Sequence, residues 1–363
     1  MRKLLFIFLA LQVIGGWPAA NAFDQDEEIP WLALEGQKRI FERRYDDATE
    51  LFRHVERDNP NAALGFFGQM AVLEARMLER EDFHLENEFM DIARRGEAVV
   101  GKVMQFYHPS DVDLFFCGGL VGLEGFFKAR KGQWWGAYTK GNLSRQIFTS
   151  IKKRNPNFID ALFGLGMYDY WRSVFTNEIK FLPFFSDKRK EGIEMVERVA
   201  KEGLFARELA RVNLGIIYLE ERRYADAARV LEEYSGLYSQ NVILHILLGR
   251  VLLADKKYDH AVEEFEKILV IDPEIAKAHY FVGTALALQG KKERFAEATD
   301  HLNGFLKIAK ERLWRSYALY WLGLIHEKQG DNKGAAGYYT QAIELNRGLK
   351  SAQVKLRALG GGL

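Results

Sequence analysis

Residues 242–275 read VILHILLGRVLLADKKYDHAVEEFEKILVIDPEI. The stretch is 34 residues long and has a fixed internal spacing. Gly249 follows Leu248, Ala261 comes twelve residues later, Phe265 four after that, and Pro273 closes the unit. Working outward, Gly215 and Gly283 stand 34 residues to either side of Gly249, after Leu214 and Val282. Ala227 repeats the twelve-residue offset from Gly215, and Ala335 repeats it from Gly323. Self-similarity at this period means one supersecondary unit used several times. Each unit reads as two antiparallel helices with a short turn. The small residues sit where helices approach closely, and Leu231, Phe265 and Tyr339 fill the space between units. Pro273 follows Asp272 where a helix should stop. Such a unit cannot bury its apolar face alone, so its neighbours must stack on it.

The pattern resembles the tetratricopeptide repeat (TPR). The resemblance implies an all-α fold, a helical-hairpin solenoid coiled into a superhelix. Four repeats are expected within 208–349, at 208–241, 242–275, 276–312 and 316–349. The third is lengthened by Lys291-Lys292-Glu293-Arg294, so Gly283 and Gly323 lie 40 residues apart. Gly36, Ala48, Phe52 and Pro60 repeat the spacings of Gly249, Ala261, Phe265 and Pro273. They predict a further repeat at 29–62, within an N-terminal segment 23–62. Residues 63–207 form a divergent middle region, helical but irregular. A long helix is predicted near 85–107, and another at 112–131. In the second, Gly118, Gly122 and Gly125 share one face that permits close helix contact. Asp113, Glu124, Lys128 and Arg130 favour a buried helix there over a membrane span, because charges are costly in lipid. Residues 158–204 read as a repeat with an enlarged turn at 176–190, since Gly166 and Gly192 lie 26 apart. Residues 350–363 should form a capping helix and a frayed tail.

The N-terminus has the three parts of an export signal. Arg2 and Lys3 give a positive start, Leu4 to Ile14 an apolar run, and Ala20-Asn21-Ala22 a small-x-small cleavage site. Residues 1–22 are therefore expected to be a signal peptide. The apolar run is too short for a membrane span, which needs roughly 20 apolar residues. The mature chain is expected in the periplasm, with no integral span, in association with the outer membrane only through a partner. Exported bacterial TPR proteins are the nearest resemblance, which implies a protein partner in the cell envelope. A formal net charge of +1 gives no global attraction to nucleic acid. Cys117 is the only cysteine and lies in an apolar run, which reads as a buried, inert thiol.

On the TPR mapping, first helices line the concave face. One column of that face would hold Val212, Ile246, Tyr280 and Tyr320. Its neighbour would hold Ile216, Arg250, Thr284 and Leu324. A third would hold Leu209, Ile243, Lys277 and Tyr317. Relatives that clamp charged chaperone tails carry Lys and Asn at these columns, and Val212 and Ile216 replace them here. The columns suggest a groove for an apolar or aromatic partner segment, unless the same side chains face another helix of the stack. A second candidate surface gathers Trp134, Trp135, Trp171, Phe181, Phe184 and Phe185. It can be read as core, as a protein interface, or as a glycan- or lipid-binding platform. That platform is the alternative to a non-enzymatic scaffold. No catalytic pair, metal set or cofactor motif is legible. Gly164-Leu165-Gly166 lacks the third glycine of a dinucleotide loop. His245 and His279, 34 apart, have no third ligand beside them.

Overall fold

The computed structural model describes residues 25–105, 109–176 and 186–360. The signal-peptide expectation, the Phe181–Phe185 stretch and the end of the glycine tail lie outside them. The described residues form α-helices joined by short turns, with one 3-10 turn at Lys292–Arg294 and no strand. The fold is therefore all-α, as the 34-residue period requires. None of these helices is long and apolar enough to cross a membrane.

Two compact units are present. Unit 1 takes the chain to Leu78 and then Asp82–Asn241, and unit 2 takes Glu79–Glu81 and Val242–Leu363. The division falls at Asn241, so the first regular repeat belongs with the divergent region rather than with the later repeats.

Unit 1 opens with α1 (Gln25–Phe41) and α2 (Tyr45–Asp58), the hairpin expected from Gly36 and Phe52. It continues through α3 (Ala63–Arg80), α4 (Glu86–Val103), α5 (Asp111–Arg130) and α6 (Trp134–Arg154). Then come α7 (Ala161–Thr176), α8 (Arg189–Glu202), α9 (Arg207–Glu220) and α10 (Tyr224–Leu237). The divergent middle is built from the same kind of hairpin as the rest. Ser110 caps α5 by accepting the Asp113 amide at 3.0 Å. The glycine face of α5 then receives α6. A Cβ on Gly118 would lie 2.8 Å from Phe148, one on Gly122 2.9 Å from Ser144, and one on Gly125 3.1 Å from Lys140. Ser144 Oγ donates to the Gly118 carbonyl at 2.8 Å across this contact. Gly166 and Gly192 join α7 to α8 in the same way, because a Cβ on either would lie 2.7 Å from the other's carbonyl oxygen. The connection between α7 and α8, where the enlarged turn at 176–190 is expected, lies mostly outside the described residues.

The centre of unit 1 is aromatic. Phe205, on the α8–α9 linker, stacks on Phe115 at 5.6 Å and meets Phe116 and Phe158 at 5.6 and 6.3 Å. That linker is pinned by Asp160, whose carboxylate accepts the Leu204 and Ala206 amides at 3.0 and 2.7 Å. Burial pushes the Asp160 carboxyl up, and these N–H donors pull it back. The chain also returns to its own start. Gln37 of α1 donates to the Phe205 carbonyl at 2.8 Å. Asn241 donates to the Phe41 carbonyl at 3.0 Å, and Phe41 packs on Tyr238 at 5.0 Å. Cys117 is buried in α5, and burial pushes its thiol up to about 12.

Unit 2 holds α11 (Val242–Ala254), α12 (Tyr258–Ile271), α13 (Ala276–Gln289), α14 (Phe295–Ile308), α15 (Arg312–Gln329), α16 (Asn332–Leu345) and α17 (Lys350–Ala358). The last packs on α16. Phe265 lies under Gly249 and Tyr339 under Gly323, each where a side chain on the glycine would collide with the ring. The Lys291–Arg294 insertion forms the 3-10 turn before α14. α15 has 18 residues where α9 and α13 have 14. Its extra turn carries Leu313 and Trp314 ahead of the repeat register.

Candidate partner-binding surface

The three groove columns do not form one open face. Val212 and Ile216 on α9 are fully buried within the core, and so are Ile243 and Ile246 on α11. Thr284 and Tyr280 on α13 are buried too. These positions are interior, so here it is the alternative to a groove, side chains facing other helices of the stack, that describes the columns. The physical reason is size and shape. α11 is apolar on nearly every side, and such a helix is a core helix; α9 carries more polar residues but is buried from Glu208 to Tyr218 except at Arg211.

The two charged column residues are also engaged. Arg250 pairs with the Glu81 carboxylate and lies over the Phe281 ring at 5.0 Å. Lys277 is buried, donates to the Glu81 carbonyl, and sits 4.8 Å over Trp314 and 3.6 Å from Glu311. All of these groups belong to unit 2, whose Glu79–Glu81 segment gives the Glu81 carboxylate to Arg250 and the Glu81 carbonyl to Lys277. A buried cation without such partners would be strongly unfavourable.

Apart from Arg250 on α11, the columns remain half-open only on α15. Tyr317, Tyr320 and Leu324 are partly exposed there, as are Trp314 and Trp321. The spacing of these five places them along adjoining faces of one helix. The strip is held from beneath. Trp314 meets Tyr280 edge-on at 5.2 Å and Tyr317 at 6.0 Å. The Trp321 indole donates to the Tyr280 hydroxyl at 3.3 Å, and Tyr320 packs on Tyr339 at 5.9 Å. Burial raises the Tyr280 phenol to about 12 and also raises Tyr317, so both rings are neutral hydrogen-bonding surfaces. Trp314 and Trp321 were missed in the columns. The longer α15 places Trp314 a turn before the repeat begins, and Trp321 stands one residue after a column position. An extended run of aromatic residues, Trp314 to Trp321, was the available signal.

The second aromatic group separates into two environments. Trp134, Trp135 and Tyr138 at the start of α6 are 51, 77 and 53% exposed. Trp134 meets Phe175 of α7 at 5.5 Å, and Trp135 meets Tyr138 at 5.8 Å. Trp171 is only 9% exposed and packs edge-on against Tyr170 at 4.9 Å. It therefore belongs to the core, contrary to its place in the surface group. Tyr170 is fully buried and its hydroxyl meets Glu221 at 3.0 Å.

The two histidines that matched by period are used differently. His245 is buried against Glu264, 2.7 Å away. Burial alone would raise the Glu264 carboxyl, but His245 and Lys267 outweigh it and hold it low. His279 faces His301 of α14, with 2.9 Å between Nδ1 atoms. No group of three metal-ligating side chains occurs among the described residues. Gly164 and Gly166 lie inside α7 against Phe148 and Gly192, where they serve helix packing.

The geometry defines a helical-hairpin repeat protein with a partly open aromatic strip. Models of the tetratricopeptide repeat match residues 212–274, 246–300 and 316–349. Among curated proteins, the photosystem I assembly protein Ycf3 of Rippkaea orientalis is 33% identical over 98 residues. That covers 27% of this chain and 56% of the relative. Human superkiller complex protein 3 is 27% identical over 132 residues, 36% of this chain and 8% of the relative. The chain thus spans about half the length of the first of these relatives and a small part of the second. Among solved structures, a chain of the APC/C hetero-tetramer Cut9-Hcn1 aligns with TM-score 0.60 and 15% identity. That alignment covers 90% of this chain and 55% of the other, and it shows a shared fold. TPR repeats are therefore present, and proteins built from them bind protein partners.

Proposed function

We propose that this protein is a non-enzymatic scaffold or adaptor of the bacterial cell envelope. Its unit 2 takes up an apolar or aromatic segment of a partner protein along α15. The observation that carries this reading is the half-open strip Trp314, Tyr317, Tyr320, Trp321 and Leu324. Aromatic side chains that are rigidly backed but still accessible are the usual anchors of protein interfaces. Tyr280, Phe305 and Tyr339 provide that backing. The relatives are named for assembly and for membership of a complex, which supports a scaffold role. The sequence of residues 1–22 supports export to the periplasm.

The test is site-specific photocrosslinking in cells from position 320, with position 354 of α17 as an exposed control. A discrete adduct from 320, absent from 354 and lost in the Tyr317→Ala/Leu324→Ala background, supports the reading. No adduct, or equal adducts from both positions, overturns it. Recovery of the chain in the cytoplasmic fraction with residues 1–22 retained overturns the envelope setting.

A further inference from the structure

The outward face of α6 is unlike the rest of the surface. Trp135, Tyr138, Thr139, Leu143 and Gln146 are exposed along it, and none carries a charge. Their spacing puts them on one side of the helix over about three turns. The cations beside Trp135, Tyr138 and Asn142 are committed elsewhere, and the exposed Lys152 and Lys153 stand at the far end of α6. Lys140 pairs with Glu97 and, at 2.7 Å, with Glu124. Lys128 pairs with Glu124 at 3.2 Å, and Arg145 lies 3.8 Å from Asp169 and over the Tyr168 ring. Asn142 accepts the Tyr168 hydroxyl through Oδ1, which leaves its amide N–H groups as donors.

We propose that this face binds a neutral oligosaccharide. Trp135 and Tyr138 form the platform, with ring centroids 5.8 Å apart and planes inclined by 31°. A ring face has a negative quadrupole and accepts the polarised C–H groups of a pyranose. Sugar hydroxyls need uncharged donors and acceptors at the rim, which Thr139, Asn142 and Gln146 supply. An amphipathic helix lying on a membrane instead places lysines and arginines beside its aromatics. Here those cations are neutralised by Glu97, Glu124 and Asp169. The same neutrality disfavours an anionic glycan, which would be recognised by free Lys or Arg. The platform lies in unit 1 and is independent of the α15 strip.

The experiment uses the full chain with cellohexaose, maltohexaose and chitohexaose, followed by tryptophan fluorescence and calorimetry. Saturable binding of at least one is expected. Trp135→Ala/Tyr138→Ala should weaken it roughly tenfold or more, as for a central aromatic contact. Trp135→Phe should retain most of it, because the ring is kept, and Tyr320→Ala should leave it unchanged. Circular dichroism of the exposed-site variants checks that they fold. No binding to any of the three overturns the proposal, as does binding that survives the double substitution. Tighter association with phosphatidylglycerol vesicles that depends on Trp135 overturns it in favour of a membrane. A concentration-dependent dimer abolished by Trp135→Ala overturns it in favour of a second copy of the chain.

Discussion

The interior of unit 1 and the α15 strip of unit 2 are both rich in aromatic rings, yet they are built for different ends. In unit 1 the rings of Phe115, Phe116, Phe158 and Phe205 close on one another, and Gln37 and Asn241 tie the first hairpin to the last. Phe115, Phe116 and Phe205 are buried, so this cluster leaves no ring face for a partner. On α15, Tyr280 and Tyr339 support one side of each ring while the other side of Tyr317, Tyr320 and Trp321 remains accessible. The same residue type is therefore core in the Phe205 cluster and half-exposed on α15. What distinguishes them is whether a second layer of helix covers the ring.

This contrast can be broken most forcibly at the helix contacts of unit 1. Gly166→Val should prevent stable folding or cost several kcal/mol, since its Cβ would meet the Gly192 carbonyl and backbone cannot swing aside. Equilibrium urea unfolding measures it. Gly337→Ala inside α16, where a Cβ meets nothing, should raise stability by up to about 1 kcal/mol and serves as the opposite-signed control. If Gly166→Val unfolds like the parent, the α7–α8 contact described above is wrong.

The next comparison sharpens the division between buried and half-open rings. Tyr280→Ala should cost about 3–5 kcal/mol, in the range of a large buried aromatic. Tyr320→Ala, with one side already in water, should cost about 1 kcal/mol. The test is the change in urea midpoint for each variant. Equal losses would mean that the α15 strip is core and has no surface to offer.

The origin of that division shows how far the sequence could be read. The repeat period was plain because glycine and alanine have no substitute where helix axes nearly touch. Gly215, Gly249, Gly283 and Gly323 each lie against a bulky residue of the paired helix. The groove was harder. A column residue such as Ile246 or Tyr320 has the same character whether it faces water or another helix. Only the tertiary path decides, and the path includes Glu79–Glu81, which meets Arg250 and Lys277 from far away in sequence. Likewise, Trp134, Trp135 and Trp171 are alike as letters. α6 presents the first two outward, and Trp171 turns inward beside Tyr170.

A smaller effect lies between α13 and α14. Burial lowers the affinity of the His279 ring for a proton, and His301 lowers it further. Burial also lowers His301, against the opposing pull of Glu297 and Asp300, with Arg294 adding to the lowering. At 2.9 Å one Nδ1 must donate and the other accept, so the neutral pair is the bonded one. The unfolded chain then binds more protons than the folded chain over the window between the two pKa values. The pair's contribution is full above the unfolded value of about 6.5 and is lost as pH falls through the lower folded values. A proton NMR titration should show both rings protonating below the ordinary imidazole value of about 6.5. His301→Gln should reduce the acid-side loss of stability. Titration of both rings at the ordinary value would exclude the effect.

The smallest effect concerns the turns inside the hairpins, where the two units agree. Arg43 and Arg222 in unit 1 and Lys256 in unit 2 occupy the same left-handed conformation, with φ of 61, 59 and 62°. Each precedes a basic residue and a tyrosine that begins the second helix. Glycine usually takes such a position, because any Cβ crowds the following carbonyl. Gly290 and Gly330 do so at the ends of α13 and α15. The basic turns hid their geometry from the sequence for that reason. Lys256→Gly removes the steric cost and adds flexibility to the unfolded chain, so the two effects partly cancel. A net gain of a few tenths of a kcal/mol is expected, up to about 1. Arg222→Gly should give the same gain by urea unfolding. A loss of 1 kcal/mol or more in either would show that the side chain, rather than the backbone, holds that turn.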